Sequence, residues 1–378
     1  MKLMKTKVYL MMSGGVDSSV AAYLLRLNPL YEVYGVFMKC WSLDKLRQKG
    51  FEDSVYACNW EEDLVDARMV ANKLNIPFEV WDFQDEYSDK VIDYMIEEYS
   101  KGRTPNPDVM CNSVVKFGVF YDKAMSLGAN YVATGHYAKI VIEDGKSYLA
   151  KSKDSVKDQS YFLWKIEPQR LNKTLLPIGE IENKSEVRKI AIEQSLLTAN
   201  KKDSQGLCFV GKSSLKDMLT QRLGAKEGNI VTNNYQEASN AIKINNKQKE
   251  EIANTGYVTI GKHQGAYLYT IGQRENLYLS GGPWFVSKLD INTNTVYVVH
   301  NDVKENINVK TFGIEGINQF KNIEENKVYN CITRYNQTPI KCTINHNQIT
   351  LQESSVIAKG QSFVCYDGDI MILGGIIQ

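Results

Sequence analysis

Short apolar runs alternate with helical periodicity over residues 1–150. Lys7 to Met12 and Val33 to Met38 read as strands, with Phe78 to Phe83 as a third. Between them Val20, Ala21, Leu24 and Leu25 recur at helical spacing, as do Leu64, Ala67, Val70, Ala71 and Leu74. Side chains repeat every two residues along a strand and about every 3.6 along a helix, so the switching period predicts βαβαβ. Such alternation packs as a parallel sheet with helices on both faces, whose ligands bind beyond the carboxyl ends of the strands. The expected fold class is therefore α/β, a Rossmann-like doubly wound sheet.

Further along, Tyr87 to Ser100 and Val114 to Leu127 read as helices ending at Gly102 and Gly128. Tyr131 to Thr134 is a buried strand that leaves Gly135 and His136 at its carboxyl end. Between the two helices lies Arg103 to Asn112, where Pro105 and Pro107 forbid a regular helix. Asp108 and Cys111 thus sit on or just after a stiffened loop. Thr232 to Thr255 is rich in Asn, Gln and Lys and reads as a surface insertion, or as partly disordered. From Pro283 the pattern becomes short alternating strands with a hairpin signal at Asp367-Gly368, which predicts a small antiparallel β-barrel. The expected division is a catalytic domain over 1–214, a small β-rich central domain over 215–284 and the barrel over 285–378.

Composition adds exclusions. The 378 residues carry 43% hydrophobic positions and no apolar run near the ~20 residues of a membrane span. The apolar stretch within Met1 to Met12 is short for a secretory signal, so a cytoplasmic protein is expected. Seven scattered cysteines without a C-x-x-C pair support neither a disulfide framework nor a zinc ribbon. Acidic groups exceed basic ones by four over residues 1–150, whereas basic groups lead by five over 151–225. That modest surplus is compatible with a polyanion partner.

Ser13-Gly14-Gly15-Val16-Asp17-Ser18-Ser19 follows the first strand and opens the first helix. Glycines allow a tight turn, the backbone N–H groups and the helix N-terminus attract an anion, and serine hydroxyls are expected to donate as well. The Gly-Lys-Ser/Thr ending of a Walker loop is missing. A loop without that lysine suits a pyrophosphate better than γ-phosphoryl transfer, with Asp17 available to a Mg²⁺.

The motif S-G-G-x-D-S is similar to that of the N-type ATP pyrophosphatases. RTPNPDVMCN from Arg103, ATGHY from Ala133, KDQSYFL from Lys157, KDSQGLCFV from Lys202, GKHQ from Gly261, TIGQR from Thr270, TRYNQT from Thr333 and GQS from Gly360 follow. In that order the chain resembles the tRNA-specific 2-thiouridylases along nearly its whole length. The resemblance implies an adenine-nucleotide α-hydrolase-like sheet. It implies ATP and Mg²⁺ as cofactors and tRNA as partner. It also implies adenylation of C2 of the wobble uridine, and displacement of AMP by a persulfide supplied by a cysteine desulfurase or a relay protein. The expected state is a monomer without a membrane.

By the same resemblance, Met12, Ser13, Gly14, Gly15, Val16, Asp17, Ser18, Ser19, Met38 and Gly135 would hold the nucleotide. Cys208 would carry the persulfide and Cys111 would attack or resolve it, although 97 residues separate them. Asp108 would act as general base or orient the uridine edge, with Asn106 and Pro107 shaping the base pocket. His136, Lys157, Asp158, Gln159, Arg334, Tyr335 and Gln361 would contact tRNA. Cys40, Cys58, Cys331, Cys342 and Cys365 read as small buried hydrophobes. Other readings compatible with the loop are a small-molecule ligase, which has no use for Cys111 and Cys208, a nucleotide-sensing RNA-binding module, and a thiolase using an iron–sulfur cluster.

Overall fold

The computed structural model describes residues 5–48, 60–202, 215–301 and 307–378. Strands β1 (Thr6–Met11), β2 (Tyr31–Lys39), β3 (Phe78–Asp82) and β4 (Tyr131–Ala133) open the chain. A hairpin of β5 (Ala138–Glu143) and β6 (Lys146–Lys151) follows, then the short β7 (Thr174–Leu175). The first sheet runs β3-β2-β1-β4-β7, all parallel. Period two explains its two cores. Val8, Leu10 and Met12 point to the layer holding the helices Val16–Leu27, Trp60–Lys73 and Lys184–Glu193, while Tyr9 and Met11 point to the layer of Trp81, Val115 and Phe120. Strand order reverses on either side of β1, which makes the gap between the carboxyl ends of β1 and β4 the ligand crevice of such a sheet.

The central unit is a sheet of β8 (Gly228–Thr232), β9 (Val258–His263), β10 (Trp284–Asp290) and β11 (Thr295–His300), in the order β10-β11-β8-β9. Two of its strands, β10 and β11, lie at or beyond the expected boundary at 284. β10 and β11 alternate like barrel strands, but β11 pairs in parallel with β8 and their inward residues Trp284, Val286, Val296 and Val298 pack with Ile230 and Val258. The Asn-rich stretch is also ordered, as helices Tyr235–Ala241 and Asn246–Thr255. Its asparagines act as caps: Asn234 accepts from the Glu237 amide, and Asn245 forms a capping box with Gln248.

The barrel is built from β12 (Asn308–Gln319), β13 (Tyr329–Ile332), β14 (Ile340–Asn345), β15 (Gln348–Val356), β16 (Ser362–Asp367) and β17 (Ile370–Ile377). The order β12-β15-β14-β13-β16-β17 closes through β12 and β17 into six antiparallel strands. The hairpin of β5 and β6 adds to it at Ile370, opposite Ala150, so a piece of the first unit extends the last one. Trp164 anchors the junction, since its indole N–H donates to Ser362 Oγ at 2.9 Å and the backbone of Gly374 lies against its ring.

Candidate functional site

Gly15 starts the helix Val16–Leu27 without any side-chain cap, which leaves the first-turn N–H groups directed at the crevice. Gly14 takes φ +76°, and a Cβ there would collide with the carbonyl of Asp63. At Gly135 a Cβ would lie 2.8 Å from Asp17 C and Ser18 N, so the end of β4 rests on the loop. Ser18 and Ser19 are both buried, and their hydroxyls donate to the Gly15 carbonyl at 3.1 and 2.8 Å, which shapes the loop. The exposed Ser13 keeps an outward position. Met12 is buried, with its amide on Val36 O at 2.8 Å, and Met38 packs partly buried against the Trp81 layer.

Asp17 is already engaged. Lys184 Nζ lies 2.7 Å from both of its carboxylate oxygens, and the Tyr137 hydroxyl donates to Oδ1 at 2.7 Å. Among the described residues no cluster of three His, Cys, Asp or Glu could hold a metal by itself, whereas a Mg²⁺ beside nucleotide phosphates needs only one or two carboxylates, and Asp17 would be the one at this loop.

Across the crevice, Pro107 occupies the first position of the helix Pro107–Met110, whose cap is Asn106, accepting from the Val109 amide at 3.3 Å. Asp108 thus lies within the first helical turn, and the capping role falls to Asn106. The helix continues as wide turns over Cys111–Phe120, broken at Gly118. Arg170 donates to the carbonyls of Phe117 and Gly118 at 2.8 and 3.1 Å, satisfying acceptors at the break. Burial raises the Asp108 carboxyl above its ordinary value, and the Lys116 charge partly opposes this.

Lys116 also reaches His136, with Nζ 3.5 Å from Nε2, while Nδ1 is 2.7 Å from Thr134 Oγ1. An ammonium only donates, so Nε2 accepts and Nδ1 carries the proton toward the threonine. Burial first, then Lys116, holds this histidine well below its ordinary pKa, hence neutral. Gly135 touches the loop and His136 touches the helix of Asp108 and Cys111, so two adjacent residues join both sides of the crevice.

The expected tRNA-facing residues divide. Asp158 accepts from the Ser152 amide at 2.9 Å and the Ser160 hydroxyl at 2.8 Å, and Gln159 accepts from the Tyr137 amide at 3.0 Å. Those two side chains face inward, while Lys157 is half-buried beside them. Arg334 is exposed; Tyr335 packs on Phe162 with ring centroids 4.5 Å apart. Gln361 donates to Thr104 O at 2.9 Å, just before Asn106 and Pro107. Cys208 and Cys58 lie outside the described residues. Cys331, Cys342 and Cys365 are buried in the barrel, as expected, and Cys40 is partly buried.

Sequence reasoning missed Lys184, Tyr137 and Lys116 as site residues. Lys184 left one signal: it opens the helix Lys184–Glu193, the end where the macrodipole disfavours a cation, so an acidic partner elsewhere was to be expected.

Comparison with known proteins then bears on this site. Residues 6–212 match the family model described as tRNA methyl transferase HUP domain. Residues 242–300 match its PRC-barrel domain, and 309–377 an aminomethyltransferase β-barrel domain. The tRNA-specific 2-thiouridylase of Christiangramia forsetii is 48% identical over 308 residues, 77% of this chain and 76% of that protein. That of Legionella pneumophila strain Paris is 39% identical over 389 aligned positions, covering 99% of each chain. A solved structure, the U34-tRNA thiolase NcsA from Methanococcus maripaludis with its [4Fe-4S] cluster, aligns over 55% of this chain and 63% of its own with 18% identity and a TM-score of 0.35.

Proposed function

The chain belongs to the tRNA-specific 2-thiouridylases, and from that premise we propose how its residues divide the work. It is a tRNA-uridine 2-sulfurtransferase that uses ATP. The observation that carries the assignment of residues is the pair Gly135 and His136, which ties the anion loop to the helix of Asp108 and Cys111.

In the first step O2 of the wobble uridine attacks the α-phosphorus of ATP. The bond to the bridging oxygen breaks, its electron pair leaves with pyrophosphate, and Asp108 takes the N3 proton. The outer sulfur of a persulfide on Cys208 then attacks C2, and the C2–O bond breaks to release AMP. Cys111 thiolate attacks the inner sulfur of Cys208, so the S–S bond breaks, the outer sulfur stays on the base, and a disulfide between Cys111 and Cys208 remains for a dithiol reductant. Asn106 and Pro107 fix the edge of the base pocket. Neutral His136 offers a contact surface rather than charge.

Lys157, Arg334 and Tyr335 contact the tRNA, whereas Asp158, Gln159 and Gln361 brace the elements that do so. Magnesium arrives on the phosphates of ATP. Among the described residues no helix is long and apolar enough to cross a membrane, and we place a single-chain enzyme in the cytoplasm with its tRNA and a persulfide donor of the desulfurase or relay class.

The test is anaerobic. Wild type and Cys208→Ser are incubated with ATP, magnesium, unmodified glutamate tRNA and a persulfide-generating desulfurase, and AMP and 2-thiouridine are counted by mass spectrometry. Both products from wild type, with thiolation lost in the variant, support the reading. Thiolation by Cys208→Ser at the wild-type rate would remove the persulfide from that residue.

A further inference from the structure

Tyr278 combines an exposed ring with a strained backbone. It is 87% exposed, the most exposed large hydrophobic side chain among the described residues, and its φ of +52° lies in the left-handed region. A bulky side chain crowds its own carbonyl there, so the conformation costs stability. The other non-glycine residues at positive φ among the described residues are asparagines, an aspartate, a serine and a histidine. The ring returns nothing to the core, and its hydroxyl donates only to the exposed Asn276, at 3.3 Å. Its neighbours in the chain are fixed. Leu277 is buried in the core of the central sheet, Leu279 packs over Gly261 of β9, and the Trp284 indole donates to Ser280 O at 2.9 Å. A rigid turn thus holds the ring out to solvent.

The surroundings favour a polyanion that carries flat rings. Over residues 261–288 three basic side chains, Lys262, Arg274 and Lys288, stand against one acidic, Glu275, and all three are exposed. The segment that leads to Tyr278 starts at Thr270, whose hydroxyl lies 2.9 Å from that of Thr104, two residues before Asn106. Eight residues of chain span at most about 28 Å, which bounds the separation of the ring from Thr270. We propose that Tyr278 is a stacking platform for an unpaired tRNA base other than the target uridine. An aromatic face accepts any base, and a ring already fixed in place spares the entropy of ordering it on binding. The strained backbone is what keeps that face off the protein. This inference rests on reading tRNA as the partner.

The experiment measures binding of unmodified glutamate tRNA by fluorescence anisotropy to the whole chain as wild type, Tyr278→Phe, Tyr278→Ala and Tyr278→Gly, with a melting curve of each. Loss of one base–aromatic stack should weaken Tyr278→Ala and Tyr278→Gly by about fivefold to 150-fold. Tyr278→Phe keeps the face and should bind like wild type. Tyr278→Gly should melt at or above wild type, because glycine takes the left-handed region without strain. A folded Tyr278→Ala that binds tRNA as tightly as wild type overturns the proposal. If Tyr278→Ala and Tyr278→Gly both melt below wild type in step with their loss of affinity, the ring is structural and the proposal falls. Sedimentation that shows wild type pairing with itself and Tyr278→Ala monomeric, at equal tRNA affinity, gives the ring to a second copy of the chain instead. Wild type that binds no tRNA removes the partner itself, and the platform with it.

Discussion

The same side chain lives in two settings in this molecule. Cys331, Cys342 and Cys365 lie between barrel strands among Phe312, Phe363 and Ile372, with no exposure. Cys111 is buried as well, 9% exposed and packed in the core with Val109 and Val115, but it opens a run of wide helical turns, three residues after Asp108 and five before Lys116 in the chain. In the barrel a thiol is a small apolar filler on a strand; Cys111 has comparable burial but shares its helical run with a carboxyl and an ammonium, so neither burial nor a cysteine count alone separates the two sets.

Substitution can break this contrast. Cys111→Ser should reduce 2-thiouridine formation by about a thousandfold or more, since removing a nucleophile leaves only binding and orientation. AMP release should persist, and a mutant that stops both would place Cys111 in the first step instead. Asp108→Asn should slow AMP formation about 10²- to 10⁴-fold, the range for a lost general base, with ATP binding unchanged by calorimetry.

Cys342→Ser should do the opposite of Cys111→Ser. Thiolation per folded molecule stays at wild-type level, while chemical denaturation shows a loss of about 1–3 kcal/mol, the cost of a poorly satisfied hydroxyl in an apolar core. Full stability in that variant would mean the barrel interior tolerates polarity and is less dry than its packing implies.

Two smaller effects concern pH. Lys116 opposes the upward shift of the Asp108 carboxyl, so Lys116→Met should push that carboxyl higher still and move the acid limb of AMP formation to higher pH. An unmoved limb would separate Asp108 from the rate-controlling ionisation. The same raised value means the folded chain holds this proton more tightly than the unfolded one, so stability is lost as pH rises from the ordinary carboxylate range through the raised pKa. Asp108→Asn should accordingly melt level with wild type in acid and above it at neutral pH.

The sheet and its crevice were legible because period and glycine position are local signals. Val8 to Met11 and the loop from Ser13 to Ser19 are contiguous, and their pattern states which side each residue takes. Which sheet β10 and β11 join was not legible, because they alternate as barrel strands do and only pairing with β8 assigns them. Residues 235–255 misled through composition, although Asn245 and Gln248 at capping-box spacing marked a helix start. Lys184 and Asp17 meet across 167 residues, a distance over which no periodicity reports.

The Arg103 to Asn112 segment is secured from the far end of the polypeptide: the Thr104 amide donates to Lys359 O at 2.8 Å, Gln361 donates back to Thr104 O, and the backbone of Gly360 lies against both Arg103 and Thr104. During synthesis, then, the half that holds the phosphate loop leaves the ribosome long before the residues that secure Arg103 to Asn112. A prematurely terminated product ending before Lys359 would retain the phosphate loop but leave the Arg103 to Asn112 segment without these contacts, so the fold completes that segment only once translation has passed residues 359–361.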